Sequence, residues 1–387
     1  MHNHVKLSMM RHFKFHRSAA AIRGLALGLL LSAVGLASHA RVSVQVLAQG
    51  LEHPWGLAFI DGGRMLVTER PGRLRVIEPS GQVGPPVQGL PEVDAGGQGG
   101  MLDVVADAQF VQNRMVYLCY AEPAAQGVGN STAVARARLS NDHTRLEQLQ
   151  VIFSQQPKVS SRHHFGCRIV QSPNGDLFVA LGDRFSRMQD AQTLNNHHGK
   201  VVRIRSDGTV PADNPFVNTP GALPEIWSLG HRNPQGATWG PNGELWVHEH
   251  GPQGGDEVNI VQAGRNYGWP VITYGQNYGG GRIGEGITQR AGMEQPLWHW
   301  TPSIAPSGMA WVMSDRYGPE WKGQLLVGAL RGRQLVRMSW NGQRLQPVQT
   351  LLQDWGQRIR DVRQGPDGLI YLLTDDRRGQ LVRLLPN

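Results

Sequence analysis

Cysteine is nearly absent: Cys119 and Cys167 are the only two in 387 residues. A pair of cysteines cannot frame a fold of this size, so a hydrophobic core must carry its stability. Whether the two pair depends on a Cα separation below about 7 Å, a distance that no sequence states. No Gly-x-Gly-x-x-Gly follows a strand, and there is no Walker loop, EF-hand or serine elbow, so the usual signals of a nucleotide enzyme or serine hydrolase are missing. Blocks of Lys and Arg interleaved with aromatics are missing too, which argues against a nucleic-acid partner. After residue 40 no long apolar run remains, so the rest of the chain has no stable membrane insertion.

What stands before residue 40 is different in kind. Lys6, Arg11, Lys14, Arg17 and Arg23 are followed by the apolar "GLALGLLLSAVGLA" and by "SHA" ahead of Arg41. A basic start, a short apolar stretch and small residues at the cut describe a secretory signal peptide over residues 1–40. Cleavage is predicted after Ala40, with the mature protein in the periplasm. Much of the net charge of +8 belongs to that leader. Without its five cations, 33 Lys and Arg face 30 Asp and Glu, so any functional positive charge must be local.

Residues 41–387 show little helical periodicity and one recurring pattern, a Gly, Asn or Asp turn followed by a short apolar strand. It occurs as "DGGRMLVTE", "QNRMVYLCY", "PNGDLFVALGD", "PNGELWVHE", "WKGQLLVGAL" and "PDGLIYLLTDD". Proline's fixed φ and glycine's access to positive φ suit such tight turns. Six units of this kind predict an all-β fold, a single six-bladed β-propeller over 41–387. The uneven spacing places long loop insertions between blades, at 184–225 and 251–300, building a site at one end of the central channel.

Four clusters in these turns and insertions carry candidate chemistry. "DAGGQGGMLDV" sets Gln98 among glycines that allow a ligand close to the backbone. "SRHHFGCRI" places His163 beside His164; on an extended strand the two would face opposite ways. "LGHRNPQGATWGPNGELWVHEHGPQGGDEVN" is dense in polar, Gly and Pro residues. Arg331 in "ALRGRQLVR", with Arg358 and Arg360 in "QRIRDV", suits a ligand with several carboxylates, which guanidinium grips in bidentate fashion. His248 and His250 invite zinc, but no third ligand stands at a diagnostic spacing. Asp256, Glu257 and Tyr267 offer oxygen ligands in an irregular loop, which suits calcium better. Trp298, Trp300 and Trp311 are candidates either for sugar stacking or for the core.

With "HPWGLAF", "GQGGMLDV", "HHFGCRI", "EIWSLGHRNPQG", "DEVNIVQAGRNYGWP", "PSIAPSGMAW" and "RIRDV", the chain resembles the soluble, pyrroloquinoline-quinone-dependent sugar dehydrogenases, above all the aldose sugar dehydrogenases. The resemblance spans nearly all of 41–387 and is most specific from Gly230 to Pro270. It implies His164 as general base, and Gln98, Arg232, Asn233, Arg331, Arg358 and Arg360 as residues holding the quinone. It implies Gly251 and Pro252 as carbonyl ligands of an active-site calcium, and Glu257 and Tyr267 as ligands of a second, structural calcium. Arg331, His250 and His163 depart from the pattern of soluble glucose dehydrogenase. The implied activity is oxidation of an aldose sugar to its aldonolactone by hydride transfer to the quinone, with an external electron acceptor, in a monomer or homodimer. Two other readings remain at this point: a calcium-dependent lactonase-type propeller, and a propeller that binds without catalysis.

Overall fold

The computed structural model describes residues 42–387. The predicted leader and its cleavage point lie outside the described residues. Six four-stranded antiparallel sheets are arranged as the blades of a propeller. Blade one holds β2 (Pro54–Phe59), β3 (Met65–Glu69), β4 (Arg73–Ile77) and β5 (Val83–Pro86). Blade two holds β6 (Met101–Ala106), β7 (Met115–Pro123), β8 (Asn130–Leu139) and β9 (Leu146–Ser154). Blade three holds β10 (Gly166–Gln171), β11 (Leu177–Leu181), β12 (Lys200–Ile204) and β13 (Ile226–Leu229). Blade four holds β14 (Pro234–Trp239), β15 (Leu245–Glu249), β16 (Asp256–Val261) and β17 (Trp298–Trp300). Blade five holds β18 (Pro306–Trp311), β19 (Leu325–Ala329), β20 (Gln334–Trp340) and β21 (Leu345–Leu351). The sixth combines β22 (Ile359–Gln364), β23 (Ile370–Thr374) and β24 (Gly379–Pro386) with β1 (Val42–Leu51) as its outer strand.

Every one of the six sequence repeats forms the second strand of a blade: β3, β7, β11, β15, β19 and β23. These strands are mostly apolar because neighbouring blades cover both of their faces. Leu177–Leu181 is buried throughout, as are Leu325–Ala329 and Ile370–Thr374. Outer strands lack that second cover, and β9 and β21 expose most of their central residues. The hydrophobic core is correspondingly divided into clusters between adjacent blades, such as Tyr117, Cys119 and Val134 of blade two against Ile169 and Val179 of blade three. Cys119 and Cys167 are disulfide-bonded across that same seam, with Cα atoms 5.6 Å apart.

The insertions sit elsewhere than expected. They lie within blades three and four, between β11 and β12, β12 and β13, and β16 and β17, rather than between blades. The links between blades differ in length, and the two longer ones, residues 87–100 and 155–165, carry Gln98 and His164.

The inner strands β2, β6, β10, β14, β18 and β22 all begin at one end of the channel. Across its middle, Arg168 Nη1 meets Asp103 and Asp361 at 3.0 and 3.2 Å, and Arg363 bonds the same two carboxylates. Two arginines and two aspartates thus neutralise one another beneath the open end. Among the described residues no helix is long and apolar enough to cross a membrane.

Candidate active site

The starts of the inner strands enclose a cavity of about 230 Å³. Gln98, Asn233, Arg358 and Arg360 line it together, with Trp55, Arg70, Gln235, His250 and Asp375. Arg358 precedes β22 rather than lying on it, and a register shift between Ile359 and Asp361 lets both guanidinium groups reach Asp375. Arg358 Nη2 is 2.8 Å from that carboxylate and Arg360 Nη2 is 3.5 Å away. Burial opposes the charge of Asp375, but Arg360 and Arg358 hold it well below the usual carboxylate range. Arg360 pays the cost of crowding: burial and the neighbouring arginines, opposed by Asp375, push it down to about 10. Its Nε has no hydrogen-bond partner.

Arg331 stands apart. It is exposed and does not line the cavity; only its backbone N–H is engaged, by Ile304 O. Trp311 is core, and Trp298 and Trp300 pack against the same cluster, so none of the three faces the cavity.

His163 and His164 lie in the turn ahead of β10, not on a strand. His164 takes a left-handed backbone, φ +50°, which turns its ring inward while His163 stays exposed. The turn presses on the end of β11 so closely that a Cβ on Gly182 would lie 2.1 Å from His164 O. Only glycine fits there. His164 N donates to Gln98 Oε1 at 2.8 Å, joining its backbone to the cavity wall.

His164 Nδ1 is 2.6 Å from Asp183 Oδ1, and Trp269 Nε1 donates to Asp183 Oδ2 at 2.7 Å. Burial works against the charge of Asp183, yet the bond from His164 and the charges of His164 and Arg232 hold its carboxyl below the usual range. An ionised carboxylate only accepts, so Nδ1 carries the proton and Nε2 keeps a bare lone pair. Burial, aided by Arg232 and opposed by Asp183, holds the His164 imidazole below histidine's ordinary value. A neutral, oriented imidazole is what a general base requires.

Arg232 turns away from the cavity. Its Nη1 donates to His250 O at 3.0 Å and Gly251 O at 2.7 Å, so a cation already sits at one of the two carbonyls assigned to calcium. His250 Nε2 donates to Pro306 O at 2.7 Å. Behind Arg232 lies a small cavity bordered by Glu249, Gly251, Glu257 and Tyr267. Glu257 and Glu249 face each other across the β15–β16 pair. Both Glu249 oxygens are used, by His231 and by Arg232 N. Glu257 has only the Asn259 amide at 3.4 Å, and burial beside Glu249 raises its carboxyl well above the ordinary value. The Tyr267 hydroxyl donates to Ile260 O and accepts from Gln262 N, which leaves its carbonyl as the oxygen to offer a metal. Among the described residues no three His, Cys, Asp or Glu side chains converge as a metal cluster.

Asp183, Asp375, Arg70 and Trp55 were not singled out in the sequence. A signal for the acids existed within the repeats, since four of them close on "VTE", "LGD", "VHE" and "TDD". Glu69, Asp183, Glu249 and Asp375 all stand there, at the end of the channel that holds the cavity.

The glucose/sorbosone dehydrogenase family profile matches residues 51–383. Aldose sugar dehydrogenase YliI of Escherichia coli K12 is 46% identical over 359 residues, covering 92% of this chain and 96% of that protein. The crystal structure of the soluble aldose sugar dehydrogenase from Escherichia coli in its apo-form superposes with a TM-score of 0.86 at 45% identity, over 90% of this chain and all of that one. The PQQ-bound aldose sugar dehydrogenase from Streptomyces coelicolor superposes at 0.72 with 27% identity, over 89% and 99% of the two chains. With that match along nearly its whole propeller, the chain belongs to the glucose/sorbosone dehydrogenase family of oxidoreductases.

Proposed function

We propose that this protein oxidises aldose sugars at the anomeric carbon to aldonolactones, with pyrroloquinoline quinone and calcium as cofactors. The observation that carries the reading is the uncompensated charge of the cavity. Arg70, Arg358 and Arg360 share a single carboxylate there, Asp375, whereas the network beneath is balanced two against two. A small ligand bearing several carboxylates answers that excess. A relative of known structure is PQQ-bound, which supports the choice of ligand.

When bound, the quinone supplies a two-electron acceptor for hydride and the calcium polarises its carbonyl. Arg358, Arg360 and Arg70 would hold the carboxylates, with Gln98 and Asn233 on the cavity wall. Arg331, on the rim, would act only through its charge. The carbonyls of Gly251 and Pro252 would hold the active-site calcium in exchange for the Arg232 guanidinium. The Glu257 carboxylate and Tyr267 carbonyl would hold the second, where an under-partnered carboxylate beside Glu249 favours a hard cation. His164 Nε2 takes the proton of the anomeric hydroxyl, and Asp183 stabilises the imidazolium that forms. Repeated turnover requires an external electron acceptor, and the leader directs the work to the periplasm. A lactonase would need several carboxylate or Asn side chains on one calcium, and gives the cavity's arginines no task. The test is to add pyrroloquinoline quinone and calcium to purified protein and follow glucose-dependent dye reduction. No reduction, with glucose or any other aldose, overturns the reading.

Two expectations follow for the medium. The depressed imidazole of His164 stays neutral below histidine's ordinary value of about 6.5, so kcat/KM should fall only as pH drops below that point. Asp183 raises the His164 pKa, so Asp183→Asn should move this acid limb to lower pH as well as slowing the reaction; a limb that moves upward contradicts the assignment. Calcium should raise the melting temperature, because a ligand held by the native state alone adds about 2.7 kcal/mol at a hundredfold excess over its Kd. Equal melting in calcium and in chelator would remove the structural site.

A further inference from the structure

Phe185 is a large aromatic residue with 51% of its surface exposed. Its backbone is left-handed, φ +64°, and so is that of Arg184, φ +57°. Two successive non-glycine residues in this region are strained, and a bulky side chain at positive φ is an outlier that persists only where its surroundings enforce it.

The enforcement is visible. Arg184 is fully buried and lies over the Phe165 ring, 3.9 Å from its centroid. Its guanidinium donates to Asn130 O, Asn130 Oδ1, Ser161 O and His163 O, clamping blade two and the turn that carries His164. Phe185 N donates at 2.8 Å to Asp183 Oδ1, the same oxygen that takes His164 Nδ1. The ring stands edge-on to the His164 ring at 5.2 Å between centroids and tilts against His163 at 5.5 Å. Base, carboxylate and exposed ring are therefore one rigid unit. Packing against the two histidine rings occupies only part of the Phe185 ring, and the strained backbone leaves half of its surface facing solvent beside His164.

We infer that Phe185 is a specificity-determining residue, the platform on which the apolar C–H face of an aldose ring rests while its anomeric hydroxyl meets His164 Nε2. The inference rests on the proposed sugar oxidation and adds the surface that recognises the sugar. An aromatic face suits a pyranose because a sugar alternates C–H faces with hydroxyl edges, and the remaining contacts at the base are polar. The ring fixes which face of the sugar the base can approach.

The test compares Phe185→Ala, Phe185→Gly and Phe185→Tyr in protein reconstituted with pyrroloquinoline quinone and calcium. Ala and Gly should raise the aldose KM about three- to tenfold, an aromatic contact's usual worth, and by more than they change kcat. Tyr should bring KM back toward the parent. The midpoint of cofactor reconstitution should not move in any of them. Glycine is at ease at φ +64°, so Phe185→Gly should melt no lower than Phe185→Ala even as it binds sugar poorly. An active parent whose KM is the same in the Ala and Gly variants overturns the platform alone. A KM rise matched by an equal loss of cofactor affinity also overturns it, because the ring then serves the fold of the site. A reconstituted parent that oxidises no aldose overturns the functional reading, and the platform with it.

Discussion

His164→Ala should lose about 10²–10⁴-fold in rate at saturating cofactor, the usual contribution of a positioned base. It should still take up the quinone, because the arginines that face the cavity, Arg70, Arg358 and Arg360, belong to other blades. His163→Ala should lose far less. Arg184 reaches His163 through its carbonyl oxygen, so truncating the side chain leaves that bond in place. The two histidines are separated by a backbone turn and not by strand alternation, since His164 lies in the left-handed region. Dye reduction with sugar, run on both variants beside the parent, decides the matter. A dead His163→Ala with an active His164→Ala would reverse the assignment.

Arg360→Ala should weaken cofactor binding roughly 10- to 150-fold, the range of a charge-assisted contact of about 1.5–3 kcal/mol. Position ranks the three arginines. The Arg360 side chain is 9% exposed and that of Arg358 is 42%, so water screens Arg358 more and its loss should cost less. Arg331, exposed and outside the cavity lining, should cost least. Reconstitution titrations on the three alanine variants measure this order directly. Equal effects at Arg331 and Arg360 would mean that bound quinone sits nearer the rim than the cavity does.

The propeller was legible because its second strands are buried on both faces and each follows a tight turn, so burial wrote the same short pattern six times. The outer strands left no such trace. Strand β1 had no repeat of its own, and its partner lies at the far end of the sequence. The insertions were found but misplaced, because a gap between two second strands does not say which of the intervening strands it interrupts. Within the site, Gln98, Arg358 and Arg360 stood out by type and surroundings, Asn233 came only from the family resemblance, and the four share one cavity. Asp183 and Asp375 did not stand out, although both stand in the closing acidic residues of a repeat. Their importance comes from what folding brings to them, His164 across 19 residues and Arg358 across 17. The Cys119–Cys167 pair was undecidable for the same reason: it depends on how two blades meet.

The pairing of β1 with β24 sets the order in which the molecule can be assembled. Val42 lies opposite Pro386, and Ser43 Oγ reaches Asn387 Oδ1 at 2.9 Å across 344 residues of sequence. A chain that emerges N-terminus first, from a ribosome or across a membrane, has its opening strand waiting unpaired while six blades' worth of sequence passes by. Closure of the ring is then the most non-local contact it makes, and such contacts form slowly. Until then two open strand edges stay available to other chains. Speed of closure and protection of that edge, more than stability of the finished ring, would then govern how much enzyme a cell obtains.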